Sequence, residues 1–307
     1  MTATPATLAA PAATTTRRTT RTGRTRRPDT GTGRRTAGRV LHDVVVVLLA
    51  AVVVGVPLWL VLVTASKTTA EAARPDLSLP TELALGDNLR QVISQGEVLV
   101  ALGGSLLVTV PAVVLLLVLG SAASWVLARR TGRWNAVLYT IGISSIVLPP
   151  AVITTVLTVR SIGLQGTAVG MVGVYTGMFM GTVIFFVTGF VRNLPIELEE
   201  AARLDGTTPF QLFTRIVLPM LRPVIATAAI LTTLSIWNEV FYTFFVLGGG
   251  DTTTLPLNLY KVASAAQYVN NWNLIFAYVV LMSLPMIIVF AVAQRRIISG
   301  VTSGAVK

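Results

Sequence analysis

A chain of 307 residues with 53% hydrophobic and only 12% charged side chains, and a mean hydropathy of +0.74, is not an ordinary soluble domain. Such a domain carries about twice that share of charge, and a chain this apolar would expose aggregating patches in water. With no cysteine and one histidine, His42, disulfides, thiol chemistry and histidine-built metal clusters are excluded. The net charge of +11 suggests nucleic acid only until it is located, because nine of the 24 Lys and Arg fall between Arg17 and Arg39.

Residues 1–39 are otherwise rich in Thr, Ala, Gly and Pro, leaving little to bury, and read as a disordered basic tail. Attraction to anionic lipid headgroups and nucleic-acid contact are its functional readings. The plainer one is a solvated tail that helps fix orientation, and no nucleic-acid partner is expected. Residues 40–97 hold a first span, Val44 to Ser66, and an outer loop. Although arginine pairs precede it, this apolar run is too long for a cleaved signal.

Residues 98–294 read as a core of five further spans: Val98–Ala128, Trp134–Val159, one within Ser161–Val191, Pro223–Leu247, and one ending near Gln294 in a charge-free stretch from Val262. About 20 apolar residues rising about 1.5 Å each cross about 30 Å of hydrocarbon. Backbone groups in lipid must be satisfied within the segment, so the expected fold is all-α, a polytopic bundle of six transmembrane helices. Residues 295–307 would form a cytoplasmic C-terminal tail. With the N-terminus inside, 19 Lys and Arg lie on inner segments and five on outer ones, which puts both termini in the cytoplasm.

Pro149-Pro150 in the third span and Pro285 in the sixth mark kinks, as hinges or packing bends. Gly173, Gly177 and Gly181 recur every four residues in the fourth, a face where helix backbones approach closely, in this chain or another. Between spans four and five, Asn193 to Pro223 should be structured. Pro195 suits a first helical position, and Glu197, Glu199 and Glu200 suit the opening turns. Gly206 would end that helix at positive φ. Thr208 with Gln211 has capping-box spacing ahead of Pro209, and Pro219 and Pro223 limit the second helix. A surface hairpin without a partner is one reading of this loop. Leu198, Ala202, Phe210, Leu212 and Phe213 argue instead for a rigid protrusion that a motor subunit grips.

Glu239 is the only charge inside an expected span, about 25 Å along the fifth helix from Arg222. A carboxylate there costs about 2.5–3.5 kcal/mol on insertion scales, so it faces a cavity or a partner. Three readings stand open: a lining of a solute path, with Asn238 offering amide donors; a structural carboxylate bonded between helices; or a proton carrier.

Glu200-Ala201-Ala202, Gly206, Ile216 and Leu218-Pro219, at their spacing, resemble the EAA signature of ABC importer permeases, with every fixed position present. Further segments are similar to maltose-type carbohydrate permeases: Ser105 to Thr109, Leu119 to Ala123 and Leu127-Ala128-Arg129 in the second span, Trp237-Asn238-Glu239 in the fifth, Thr254-Leu255-Pro256, and the ending Ser299 to Lys307. Coverage runs from about Val44 to Lys307. The basic tail has no counterpart, and Gly104 stands where the second-span motif usually has Asn.

The resemblance implies a type I ABC importer permease fold in the cell membrane. It implies one half of a translocation path for a sugar or oligosaccharide, not an enzyme. Implied partners are a second permease subunit, two ATPase subunits and an extracellular solute-binding lipoprotein. Glu200, Ala201, Ala202, Gly206, Ile216, Leu218 and Pro219 would couple to the ATPases, Ser303, Gly304 and Lys307 would contact them, and Asn238 and Glu239 would line the path. This chain has no Gly-Lys pair, and its only lysines are Lys67, Lys261 and Lys307, so the phosphate cradle is missing; ATP and Mg would sit on the partner ATPases. The rival readings are a secondary transporter using Glu239 as a proton or ion relay, and a membrane scaffold.

Overall fold

The computed structural model describes residues 42–148, 151–264 and 271–305. The basic tail, Pro149-Pro150 and Lys307 lie outside the described residues. The described residues are helical, without a strand. The chain divides into two compact units, Met1–Val54 and Gly55–Lys307. In the first, the described residues are helical and exposed throughout, as befits a run of valine and leucine with lipid as solvent.

In chain order the helices are α1 (His42–Ala65), α2 (Thr69–Ala72), α3 (Leu85–Gln95), α4 (Val98–Arg129), α5 (Arg133–Ser144), α6 (Val152–Ser161) and α7 (Ala168–Val191). They continue with α8 (Glu197–Leu204), α9 (Pro209–Met220), α10 (Arg222–Trp237), α11 (Phe241–Leu247), α12 (Leu255–Ser264) and α13 (Trp272–Ala305). By length and composition α1, α4, α7 and α13 are each sufficient to cross a membrane, and α9 with α10 would add a fifth crossing bent by 75°. These four long helices fall on the first, second, fourth and sixth expected spans. The other two are divided.

The third becomes α5 and α6, separated by turns at Ser145–Val147 before the two prolines. Consecutive prolines remove two amide donors and disfavour helix in the residue before them, so an unbroken ladder cannot form. The fifth stops at Trp237 and resumes at Phe241. The last helix runs on to Ala305, taking in the backbone of most of the expected tail.

The core is built on α4 packed along α7, where small residues allow close approach. A Cβ on Gly120 would sit 2.6 Å from Val183 Cγ1, and Ser121 and Ser124 are fully buried. The glycine ladder of α7 divides. Gly181 meets α5, where an added Cβ would lie 2.6 Å from the Gly142 carbonyl oxygen, whereas Gly173 and Gly177 face open space. A second apolar cluster joins Ala65, Val92, Ala101, Trp237, Leu255 and Tyr278. Beside it Asn88 donates from Nδ2 to the carbonyls of Ala65 and Lys67, both at 2.9 Å, and accepts from Asn273 Nδ2 at 2.8 Å. The segment after α1 is thereby tied to α3 and α13.

Candidate functional site

Two interruptions of the helical chain gather the residues that carry chemistry, and the first is the corner between α8 and α9. Glu197, Glu199 and Glu200 occupy the first turn of α8, where the free amides favour negative charge. Pro195 stands two residues before that helix begins, slightly earlier than its spacing suggests. Gly206 adopts φ +78°, and Thr207 N–H donates to the Ala202 carbonyl at 3.2 Å, the six-to-one bond of a Schellman C-cap. Thr208 then caps α9: its hydroxyl accepts from Gln211 N–H at 3.3 Å while Gln211 Oε1 accepts from Thr208 N–H at 3.0 Å. Both turns of the corner are therefore fixed by local chemistry.

What anchors the corner is Glu199, only 4% exposed. Its carboxylate accepts from Arg129 Nε at 2.8 Å and Trp125 Nε1 at 3.1 Å, both at the end of α4. Arg129 Nη2 also donates to the Leu194 carbonyl at 3.0 Å, so one guanidinium binds both sides of the entry into α8. Sequence reading placed Glu199 only as a first-turn charge. The usable signal was Arg129 closing a 32-residue apolar helix, a cation needing a partner.

The signature residues separate by direction. Glu200, Ala201 and Gly206 are exposed, while Ala202 is buried. Ile216 packs on the core, and Leu218 and Pro219 line a cavity of about 840 Å³ with Thr214, Arg222 and Ile225. Of the apolar residues singled out, Phe210 is 76% exposed and Leu198 47%, but Ala202 and Leu212 turn inward. Leu204, missed from sequence, is more exposed still at 89%. Leu204 and Phe210 flank Gly206 as two bare apolar side chains on a rigid turn.

The second interruption lies between α10 and α11, and its three motif residues point three ways. Trp237 is buried and donates from Nε1 to the Met282 carbonyl of α13 at 3.3 Å. Asn238 is exposed, its Nδ2 returning to the Leu234 carbonyl at 2.9 Å. Glu239 turns towards α7. Its Oε1 accepts from Tyr242 N–H at 2.7 Å. Its Oε2 accepts from Thr243 N–H at 3.1 Å, Thr243 Oγ1 at 3.0 Å and Tyr175 OH at 2.9 Å. Asn238 and Glu239 are adjacent in sequence, yet only Asn238 presents its side chain outward. Ser303 and Gly304 fall in the α13 backbone, with Lys307 beyond the described residues.

The Thr254-Leu255-Pro256 segment docks on α4, with Leu255 N–H donating to Ser105 Oγ at 2.8 Å. A Cβ on Gly104 would stand 1.9 Å from the Thr253 carbonyl oxygen. Glycine at 104, unlike the usual asparagine, is thus what this loop conformation requires.

The family model described as "Binding-protein-dependent transport system inner membrane component" matches residues 116–303, a stretch that includes both interruptions. The chain belongs to that family. Among curated relatives, the permease is 30% identical over 253 residues to a probable starch degradation products transport system permease of Thermoanaerobacterium thermosulfurigenes, covering 82% of this chain and 91% of the relative. It is 28% identical over 277 residues to a melibiose/raffinose/stachyose import permease of Bacillus subtilis, covering 88% and 99%. Its fold matches a crystal structure of a bacterial ABC transporter that imports alginate, with TM-score 0.73 and 20% identity, over 84% of the permease and 97% of that chain. The architecture is therefore that of an ABC importer permease. The protein is the membrane component of a binding-protein-dependent transport system, not an enzyme.

Proposed function

We propose that this permease is one of two membrane subunits of an ATP-driven importer for a sugar or oligosaccharide. Its partners would be two ATPase subunits, which carry ATP and Mg, and an extracellular solute-binding lipoprotein. The relatives' sugars, starch degradation products and melibiose, raffinose and stachyose, support the solute class. In this reading the chain crosses the plasma membrane six times, with α5–α6 and α10–α11 as the divided third and fifth crossings. Both termini face the cytoplasm. The domain plan is a basic tail over 1–39, a first crossing and outer loop over 40–97, a core over 98–294 and a tail from 295.

The observation that carries the reading is the capped corner at Gly206, which offers Leu204 and Phe210 while Glu199 is riveted to Arg129 of α4. A docking motor needs an apolar anchor and a stiff lever, and this corner supplies both. Glu200, Ala201, Ala202, Gly206, Ile216, Leu218 and Pro219 form or brace it. Closure of the ATPases would pull α8, and the ion pair would pass the movement to α4 and its partner α7. Driving a two-state equilibrium from 1:99 to 99:1 takes about 5.5 kcal/mol of differential binding, within reach of two ATP molecules. Ser303, Gly304 and Lys307 would extend towards the ATPases, and the exposed Asn238 would line the solute path with donors for hydroxyls. The relay reading loses its support, because the Glu239 carboxylate is already occupied by donors of this chain.

The chain has no cysteine, so Phe210→Cys introduces its single thiol. Crosslinking from that position in native membranes is expected to capture an ATP-hydrolysing chain, more strongly without nucleotide turnover than during it. A corner that never captures an ATPase overturns the assignment.

A further inference from the structure

The carboxylate of Glu239 has two oxygens with about four acceptor positions. Four donors reach them unevenly: the Tyr242 N–H is on Oε1, and the Thr243 N–H, the Thr243 hydroxyl and the Tyr175 hydroxyl gather on Oε2. The two hydroxyls are also 2.7 Å apart; with one proton each they make two of the three possible bonds, one hydroxyl donating to the carboxylate while the other donates to it or to its neighbour. Tyr175 is 1% exposed and Thr243 fully buried, which makes the donor set rigid. Nothing in this arrangement is directed at a solute. What it accomplishes is local: it satisfies two amides that open α11, and it ties that opening to α7 by a phenol 64 residues away. The consequence falls on the neighbouring residue. With the chain held open between Trp237 and Phe241, Asn238 is turned outward onto the face that also exposes Leu231 and Ser235 of α10.

We propose that Glu239 is a positioning residue of the solute path: held by Tyr175, it fixes the gap between α10 and α11 so that Asn238 is presented to the path, and it touches no solute itself. The proposal rests on the reading of Asn238 as path-lining given above. Glutamine in its place would turn an amide NH₂ towards the Tyr242 or Thr243 N–H, donor against donor. The gap would then lose the acceptor that holds it.

The test uses the complete transporter in native membranes, with Asn238→Cys as the only thiol of this chain and a charged, water-borne methanethiosulfonate as the probe. Rapid labelling is expected at position 238 in the otherwise native chain. Adding Glu239→Gln is expected to slow it at least ten-fold, and Tyr175→Phe, which removes a single donor, about three-fold. A parallel chain with Ala101→Cys, fully buried in α4, is expected to stay unlabelled in all backgrounds, which a global loss of structure would not allow. Should Glu239→Gln fail to accumulate in the membrane, Tyr175→Phe alone decides. Labelling at 238 that ignores these substitutions overturns the positioning role and leaves the path reading standing. A position 238 that never labels, even in the otherwise native chain, overturns both.

Discussion

The corner at Gly206 and the gap at Asn238 are related devices in two settings, a helical chain interrupted and a glutamate near the break tied to a distant helix. At the corner Glu199 is neutralised by a guanidinium, Arg129, with the Trp125 indole beside it. At the gap Glu239 meets only neutral donors, two amides and two hydroxyls. Helix length gives a reason for the difference. The 32 residues of α4 extend about 48 Å, well beyond about 30 Å of hydrocarbon, which leaves length for Arg129 at its end to reach headgroup depth, where a cation is tolerated. In the interior of a span an arginine costs several kcal/mol, and hydroxyls and amides do the work instead. In the proposed function the charged clamp would transmit force and the neutral one would set a shape.

If that contrast is sound, Arg129→Ala is the most damaging single change, because it leaves a buried carboxylate with only the exposed Arg203, 4.0 Å away, as counter-charge among the described residues. We expect about 3–5 kcal/mol of lost stability, read as the denaturation midpoint of the purified permease. Glu239→Gln is expected to cost less, about 1–3 kcal/mol, since hydrogen bonds are weakened but no charge is left unpaired; an equal or greater loss than for Arg129→Ala would dissolve the distinction. Thr208→Ala removes a capping box from the corner and should cost about 1 kcal/mol, with ATPase coupling falling alongside stability.

The smallest effect concerns a third carboxylate, on the loop after α1. Asp76 is held down to about 2, first by the hydrogen bond from Lys67 and then by Ser78. A depressed carboxyl contributes stability that is complete above its ordinary value of about 3.8 and is lost as pH falls towards 2. Melting curves of the native chain and Asp76→Asn should therefore differ by a constant amount from pH 7 to 5 and converge below 4. Asp76 is itself exposed, so screening reduces its own share of that constant, while Lys67 beside it is buried.

Much of the frame was legible from residue order. The long apolar runs gave α1, α4, α7 and α13, and the capping residues around Thr208 and Gly206 gave the corner. Such signals act over a few residues, through hydrocarbon length and local amide satisfaction. The prolines at 149 and 150 were visible as a disturbance, but composition alone read the third span as one helix, because hydropathy has no memory of backbone continuity. Glycine at 104 looked like a departure until the Thr253 carbonyl was found against it.

Local order also settled the membrane setting and the kinship with importer permeases, since both depend on residue types at fixed short spacings. Folding in three dimensions decided which way each polar group turned. Glu199 met Arg129 across 70 positions, Ser105 met Leu255 across 150, and Glu239 met Tyr175 across 64. Periodicity does not encode such pairings, because a carboxylate in an apolar helix takes whichever donor the packing brings within about 3 Å.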